Sequence, residues 1–462
     1  MRLEHDLLGE LEVPESAYWG VHTARAVENF NISGVAIGHY RSLVRALALI
    51  KQASAQANCD LGELPPAKLG PIQAACREIA DGRFDAEFVV DAIQGGAGTS
   101  TNMNANEVIA NRALELAGFK KGDYEQIHPL NDVNLSQSTN DVYPTAVKVA
   151  LIIEITALID ELGLLRESFL AKGAEFANII KMGRTQLQDA VPMTLGQEFV
   201  AYAVTIGEDI ARLHEATLLL SEINLGGTAI GTKLNTPTGY ADAVCKHLSE
   251  LTSHEFVVAE NLIEATQDTG VFVTTSGVLK RVAIKLSKIS NDLRLLSSGP
   301  RAGFGEINLP PRQAGSSIMP GKVNPVIPEV VNQIAFTVIG NDMTVSMASE
   351  AGQLELNAFE PIIARSLMMS IVYLRRGAKT LRELCIDGIT ANADFLRETV
   401  ERSIGLVTAL SPRIGYESAT AVAKRAQETG KSVREVVLEL NVLTAQEFDE
   451  ILGNVDHLTG RS

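Results

Sequence analysis

Residues 315–325 read GSSIMPGKVNP: two serines follow a glycine, and a lysine and an asparagine lie between two prolines. The glycine permits close approach of the backbone to a ligand. The hydroxyls of Ser316 and Ser317 and the neighbouring main-chain N–H groups can then converge on an anion. Lys322 adds a positive charge, and Asn324 adds a donor of fixed direction. The same composition is found in ordinary surface loops, but the direct interpretation is a lid over an anionic small molecule.

Two features beside this segment predict how it is held. Ile318 and Met319 form an apolar pair, which we expect to pin the loop to a core. Upstream, residues 297–305 read SSGPRAGFG, a glycine-rich run that is typical of a mobile segment. The sequence therefore predicts a loop that is anchored at its centre and flexible at its entry.

The composition indicates a large helical interior and narrows the classes of partner. Of 462 residues, 46% are hydrophobic but only 5% are aromatic, so Ala, Leu, Ile and Val fill a core sufficient for two to four domains. The formal net charge of −16 argues against nucleic acid or an anionic membrane as a partner. It would also repel a dianionic substrate at long range, so a dicarboxylate site needs locally concentrated donors such as those around Lys322.

The cysteines and the N-terminus predict a cytoplasmic protein. Cys59, Cys76, Cys245 and Cys385 lie far apart without the spacing of a zinc site, which favours reduced thiols over disulfides. The first residues, MRLEHD, contain no apolar signal core. We expect charges to interrupt every apolar run before it reaches membrane-spanning length.

Apolar spacing in the middle of the chain predicts long helices and no strands. The residues that follow helical spacing in two segments are Ile155, Leu158, Ile159, Leu162, Leu165 and Phe169, and Leu279, Val282, Leu286, Ile289, Leu293 and Leu296. The second set alternates steps of three and four, which is a heptad seam for packing between helices. Helices that are apolar on more than one face need partner helices, and we expect other chains to supply some of them.

Two further polar stretches are candidates for ligand binding, and a third stretch matters for the resemblance described below. Residues 94–104 read QGGAGTSTNMN, residues 136–141 read SQSTND, and residues 183–192 read GRTQLQDAVP. The first is not a nucleotide loop, because no Gly-Lys-Ser/Thr follows it and no strand pattern precedes it. Taken alone, it is better explained as a glycine turn that opens a helix. The second is better explained as a helix cap made by Asp141 or Thr139.

Taken together, these stretches and residues 315–325 resemble the signatures of the aspartase/fumarase superfamily, and the resemblance covers nearly the whole chain. The form GKVNP at 321–325 is shared by aspartate ammonia-lyases and class II fumarases. Thr139, Gln186 and Val326 resemble the ammonia-lyase branch, since fumarases typically have serine, histidine and threonine there. Class II fumarate hydratase is the alternative enzyme, and a non-catalytic helical scaffold is an alternative of another class.

The resemblance implies a fold that is mainly α, with three domains and a long central helical bundle that assembles into a homotetramer. The predicted domains are an N-terminal domain at 1–140, the central bundle at 141–394 and a small helical C-terminal domain at 395–462. In this superfamily each active site is assembled from three chains.

The implied reaction is reversible β-elimination of ammonia from L-aspartate to give fumarate through an enediolate. By resemblance, Ser316 is the catalytic base, acting as an alkoxide, and closed-loop N–H groups with Lys322 would favour its ionised form. The residues implied to bind the substrate do so through hydroxyl, amide or ammonium groups: they are Thr99, Ser138, Thr139, Asn140, Thr185, Gln186, Ser317, Lys322 and Asn324.

No cofactor is predicted, and the sequence contains no constellation of metal ligands. Activation by a divalent metal is not readable from it. The expected partners are a small-molecule substrate and other copies of the chain.

Overall fold

The computed structural model describes residues 1–461. Helices dominate, as predicted, and five of them are 25 residues or longer. The α-helices are α1 (Val21–Asn29), α2 (Arg41–Asp60), α3 (Pro66–Ala80), α4 (Thr99–Leu116), α5 (Thr139–Glu175), α6 (Leu195–Leu219), α7 (Tyr240–Thr252), α8 (Leu262–Gln267), α9 (Gly270–Leu296), α10 (Val326–Glu350), α11 (Glu360–Leu384), α12 (Ala393–Arg402), α13 (Leu406–Ile414), α14 (Tyr416–Thr429), α15 (Val433–Glu439), α16 (Ala445–Gly453) and α17 (Val455–Leu458).

The strands form four small two-stranded sheets. They are β1 (Arg2–Asp6), β2 (Gly9–Val13), β3 (Ile180–Thr185), β4 (Gln188–Thr194), β5 (Glu222–Ile223), β6 (Val257–Val258), β7 (Ile307–Asn308) and β8 (Thr390–Ala391). The pairs β1–β2, β3–β4 and β7–β8 are antiparallel, and β5–β6 is parallel. The expectation that the middle of the chain contains no strands is therefore wrong for the β3–β4 hairpin.

The described chain divides into two compact units. Unit 1 contains Met1–Ile159, Ala211–Arg281 and Phe336–Leu374. Unit 2 contains Asp160–Ile210, Val282–Ala335 and the chain from Arg375 onward. Each of α5, α6, α9, α10 and α11 has residues in both ranges. The three-domain division at 1–140, 141–394 and 395–462 stays a prediction.

The predicted helical seams are buried. All six positions of the seam on α9 are 6% exposed or less, and the six apolar positions on α5 are 9% exposed or less. Contrary to the expectation from sequence, α5 is long and apolar enough to cross a membrane by length and composition. However, 72% of its most apolar window is buried inside the protein, which is typical of a core helix.

In unit 2 the β3–β4 hairpin packs on the C-terminal helices. Ile180 and Met182 from β3 belong to one apolar cluster with residues of α12 to α16, including Val400, Leu406 and Phe448. Between two of these helices, α14 is followed by Gly430 in the left-handed conformation, and Ser432 forms a capping box with Glu435 at the start of α15. The hairpin is thus held by burial of β3 against a helical core.

Candidate active site

In unit 1, the SQSTND segment begins α5. The first helical residue is Thr139, so Ser138 is the N-cap, and its Oγ accepts from the Asn140 N–H at 3.3 Å. Asp141 contributes a reciprocal contact, because its Oδ1 accepts from the Ser138 N–H at 3.0 Å. Its Oδ2 accepts from the N–H groups of Gly226 and Thr228. The predicted helix cap is therefore present, made by Ser138 and Asp141 rather than by Thr139.

Burial of this cap changes its acid–base behaviour. Desolvation raises the pKa of the Asp141 carboxyl to about 6, although three backbone N–H donors oppose the shift. The Asn140 side chain is held at the same place by its Nδ2, which donates to the main-chain oxygen of Ala229 at 2.7 Å. Its Oδ1 is thereby turned away from that carbonyl and is oriented to accept.

A buried polar network lies behind Thr139. The Asn102 Nδ2 donates to the Thr139 Oγ1 at 3.0 Å and to the Asn134 Oδ1 at 3.1 Å. The ammonium of Lys51, which is fully buried, donates to the Asn134 Oδ1 at 2.8 Å and the Gln137 Oε1 at 2.9 Å. Burial lowers the pKa of Lys51 to about 7 against the attraction of Asp141. Lys51, Asn102 and Asn134 were not singled out from the sequence, because helical spacing alone places a lysine of α2 on no particular partner.

Thr99 is the first residue of α4, as the glycine-turn interpretation predicts. Gly96 and Gly98 both have positive φ, at +91° and +88°, which favours glycine. A Cβ on Gly98 would lie 2.4 Å from the ring of Tyr143, so this glycine also permits close packing of α4 on α5. The exposed Thr99 Oγ1 donates to the Gly96 carbonyl at 2.8 Å.

Thr185 and Gln186 lie at the tip of the β3–β4 hairpin in unit 2. Thr185 ends β3 and pairs with Gln188, leaving Gln186 and Leu187 as a two-residue turn. Both turn residues have positive φ, at +52° and +65°. Such turns prefer Asn-Gly, and each non-glycine residue in the left-handed region costs about 1–2 kcal/mol. The missing glycine explains why the sequence did not indicate a hairpin, and strain of this kind is concentrated at functional sites.

A buried ion cluster anchors the base of this hairpin. Lys181 is 2% exposed and contacts Glu198 at 2.7 Å and Glu306 at 2.8 Å. Arg184 reaches the same Glu306 at 2.5 Å and lies over the Phe304 ring. A cavity of about 320 Å³ lined partly by these residues extends to Gln186. Sequence spacing gave no sign of this cluster, since its members come from three separate segments of the chain.

The Ser316 segment in unit 2 is closed by its own backbone. The Gly315 N–H donates to the Lys322 carbonyl at 2.8 Å, and the Asn324 Nδ2 donates to the Gly315 carbonyl at 2.8 Å. A Cβ on Gly315 would lie 2.6 Å from that Lys322 oxygen. The glycine therefore permits close approach of the loop to itself, whereas its place in the sequence predicted close approach to a ligand.

Inside this loop, Ser316 has two main-chain donors. Its Oγ accepts from the N–H of Met319 at 2.9 Å and from the N–H of Ile318 at 3.2 Å. Ser317 and Lys322 are exposed. The expectation that Ile318 and Met319 pin the loop to a core is wrong: their side chains are 83% and 49% exposed.

The predicted site residues fall into three sets, and each set has its own local hydrogen bonds. Unit 1 holds Thr99 and the cap residues 138–140. Unit 2 holds the hairpin pair 185–186 and the loop residues 316–324. Within residues 1–461, no group of three His, Cys, Asp or Glu side chains could hold a metal ion.

Two family models match most of the chain. Residues 9–340 match the model described as Lyase, and residues 406–459 match the model described as Fumarase C C-terminus. Together these ranges include Ser316, the hairpin and both polar stretches of unit 1.

Curated relatives at high identity carry a single name. The aspartate ammonia-lyase of Pseudomonas aeruginosa is 59% identical, covering 98% of this chain and 95% of the relative. That of Escherichia coli K12 is 54% identical with the same coverage.

Solved structures agree with these relatives. A fumarate lyase:delta crystallin from Brucella melitensis, solved with bound cobalt, has a TM-score of 0.96 at 56% identity, covering 100% of this chain and 99% of the other. The class II fumarase of Schistosoma mansoni has a TM-score of 0.92 at 36% identity, with both chains fully covered. The fold is thus common to both branches, whereas sequence identity is higher on the ammonia-lyase side.

Proposed function

This chain belongs to the aspartase/fumarase superfamily and is an aspartate ammonia-lyase, and we propose that Ser316 is the base of its reaction. The enzyme eliminates ammonia reversibly from L-aspartate to give fumarate. Relatives at 52–60% identity share this activity in name, whereas the class II fumarase is 36% identical. The hydratase alternative is accordingly set aside.

The observation that supports Ser316 is its pair of main-chain donors. A serine hydroxyl is a poor base in water, because its alkoxide is strongly disfavoured. Hydrogen bonds to the charged form stabilise that form. The N–H groups of Ile318 and Met319 already point at the Ser316 Oγ, and Lys322 lies in the same loop. These groups favour the alkoxide that removes the proton from the carbon beside the carboxylate.

Removal of that proton moves negative charge onto the carboxylate and forms an enediolate. Donors aimed at the oxygens where charge develops lower the barrier. We assign this role to the hydroxyls of Thr99, Ser138, Thr139 and Ser317. Lys322, Asn324 and Thr185 would hold the second carboxylate of the substrate.

Two amides are assigned to the amino group. The Asn140 Nδ2 is occupied by the Ala229 carbonyl, which leaves the Oδ1 as an acceptor for a substrate ammonium. The Gln186 side-chain amide can donate hydrogen bonds, but it is not acidic enough to protonate a leaving group. This suits deamination, because an ammonium group leaves as neutral ammonia, whereas loss of hydroxide from malate benefits from an acid.

The assembly is proposed as a homotetramer with active sites shared between subunits. One helix supports this through an apolar stripe that the described chain leaves uncovered. On α10, Phe336, Met343 and Met347 follow helical spacing and are 65%, 62% and 66% exposed. Large exposed apolar patches mark interfaces.

We further propose that the enzyme works in the cytoplasm without an organic cofactor. All four cysteines are free thiols, in keeping with a reducing compartment. The net charge of −16 disfavours nucleic acid and anionic membranes as partners.

A substrate panel on the purified enzyme tests the assignment. We expect fumarate, followed by ultraviolet absorbance, to form from L-aspartate and not appreciably from L-malate. Faster turnover of malate would reverse the assignment in favour of the hydratase. Inactivity of Ser316→Ala in the same assay controls for contaminating enzymes.

Subunit mixing tests the shared site. Ser316→Ala and Thr185→Val are each expected to be nearly inactive. If the two residues reach one site from different subunits, co-refolding in equal amounts should restore about one site in four in a closed symmetric assembly. No recovery, with mixed oligomers verified by native mass spectrometry, would mean that both residues come from one chain.

A further inference from the structure

Lys51 is a buried cation that the proposed reaction does not use. It lies on α2, is 0% exposed, and its ammonium donates to two side-chain amide oxygens, the Asn134 Oδ1 and the Gln137 Oε1. The charged amine has three N–H donors and the neutral amine still has two, so in either state both partners turn an oxygen towards it. A buried charge is costly to maintain, and this one lies behind the start of α5.

The orientation of the Asn134 amide follows from two independent contacts. Its Oδ1 faces the Lys51 ammonium, while its Nδ2 donates to the main-chain carbonyl of Gln137 at 3.2 Å. A carbonyl oxygen only accepts, so reversing the amide would break both hydrogen bonds. Gln137 is fixed in the same way, because its Nε2 donates to the carbonyls of Val133 and Leu135.

The orientation of the Asn134 amide also fixes the orientation of the Asn102 amide. The atom of Asn102 that lies 3.1 Å from the Asn134 Oδ1 must be the nitrogen, since two facing oxygens would repel. The same Nδ2 lies 3.0 Å from the Thr139 Oγ1. Thr139 therefore accepts from Asn102, and its own hydroxyl proton is directed elsewhere.

We propose that Lys51 is a positioning residue which, through Asn134 and Asn102, turns the Thr139 hydroxyl into a hydrogen-bond donor to the substrate carboxylate. The inference rests on the proposed function, in which Thr139 binds that carboxylate. Without the network, the Thr139 hydroxyl could donate to a neighbouring side chain and present a lone pair to an anion. A fixed donor is what a developing enediolate requires.

A double-mutant cycle on the full-length enzyme tests this relay. Asn102→Leu removes the amide, Thr139→Val removes the hydroxyl, and the third variant carries both. Each single change is expected to lower kcat/KM for L-aspartate roughly 10- to 100-fold, the scale of one hydrogen bond to a charged group. The double variant should be no worse than the poorer single variant, because Asn102 acts through Thr139.

Lys51→Met should show the same non-additivity with Thr139→Val. Should this variant fail to fold, Asn134→Leu takes its place in the cycle, because the Asn134 Oδ1 joins Lys51 to Asn102. Asn104→Leu is the matched control, because Asn104 is a buried asparagine of the same helix whose hydrogen bonds go to the Glu87 carbonyl and the Val89 N–H instead of to Asn134 or Thr139. In the double variant, the fold-loss in kcat/KM caused by this control should multiply in full with the fold-loss caused by Thr139→Val.

Two outcomes would overturn the proposal: unchanged kcat/KM in Asn102→Leu, or full multiplication of its effect with that of Thr139→Val. A merely structural role for Asn102 predicts the second. Failure of the proposed function is distinguishable, because wild-type kcat/KM in Thr139→Val alone would remove Thr139 from the site while leaving the substrate panel to decide the reaction.

Discussion

The cap at the start of α5 and the loop around Ser316 both present hydroxyl groups, but the protein holds them differently. Behind Thr139 lie a buried amide network and the ammonium of Lys51. Ser316 is held by N–H groups two and three residues along the same loop, and the apolar Ile318 at its tip is 83% exposed.

The difference indicates a division of labour. A hydroxyl whose direction is set by buried partners is preorganised for binding and needs no movement. A loop supported by its own backbone has few contacts to break, so it can move at little cost. We therefore expect substitutions in the cap region to change stability as well as activity, and substitutions in the loop to change activity alone.

Ser316→Ala should produce the largest effect. Loss of a general base lowers kcat by about 10²- to 10⁴-fold. Since the side chain contacts only loop N–H groups, the thermal unfolding midpoint and the oligomeric state should match wild type. Steady-state kinetics with calorimetry measures both quantities. Near-normal turnover would mean that another group removes the proton.

Gly98→Ala tests the rigidity of the region around the cap, where α4 packs on α5. The added Cβ would lie 2.4 Å from the Tyr143 ring at a φ of +88°, so we expect a loss of about 2–4 kcal/mol in the free energy of unfolding. Denaturant unfolding measures it. Gly315→Ala is the matched control, because its Cβ would meet the Lys322 carbonyl at 2.6 Å in an exposed loop. Equal loss of stability in both variants would contradict the expectation that only substitutions in the cap region change stability.

The pH dependence of stability should also come from buried groups of unit 1. Burial raises the pKa of Glu360 to about 8, although Lys148 opposes the shift. Between the ordinary value and about pH 8 the folded state keeps a proton that the unfolded chain has lost, so this contribution declines as pH rises. Glu360→Gln removes the decline, and its unfolding midpoint relative to wild type should increase from pH 5 to pH 9. Parallel curves would show that Glu360 does not titrate in this range.

Ile318→Ser should have the smallest effect on stability. With the side chain 83% exposed, the free energy of unfolding should change by less than about 0.5 kcal/mol. Ile109→Ser on α4 is the matched control; this residue is 0% exposed, so a loss of at least about 2–5 kcal/mol is expected. A large loss from Ile318→Ser would mean that the loop tip is buried in the assembled enzyme.

Local patterns in the sequence were sufficient for much of the architecture. The apolar spacing of α5 and α9 and the glycine turn before α4 follow from interactions within a few residues. The resemblance of residues 315–325 and of the other polar stretches to the superfamily signatures was sufficient to predict the family and the reaction. These features depend on residue type and spacing, which the sequence states directly.

Other features were decided only by tertiary structure, because their parts lie far apart in the chain. Lys51 and Asn134 are separated by 83 positions, and only packing of α2 beside the turn before α5 makes them partners. The Gln186–Leu187 turn lacks the glycine that would have predicted it, and burial of β3 on the C-terminal helices holds its strained backbone. The exposure of Ile318 likewise depends on what surrounds the loop, since apolar character alone does not determine burial.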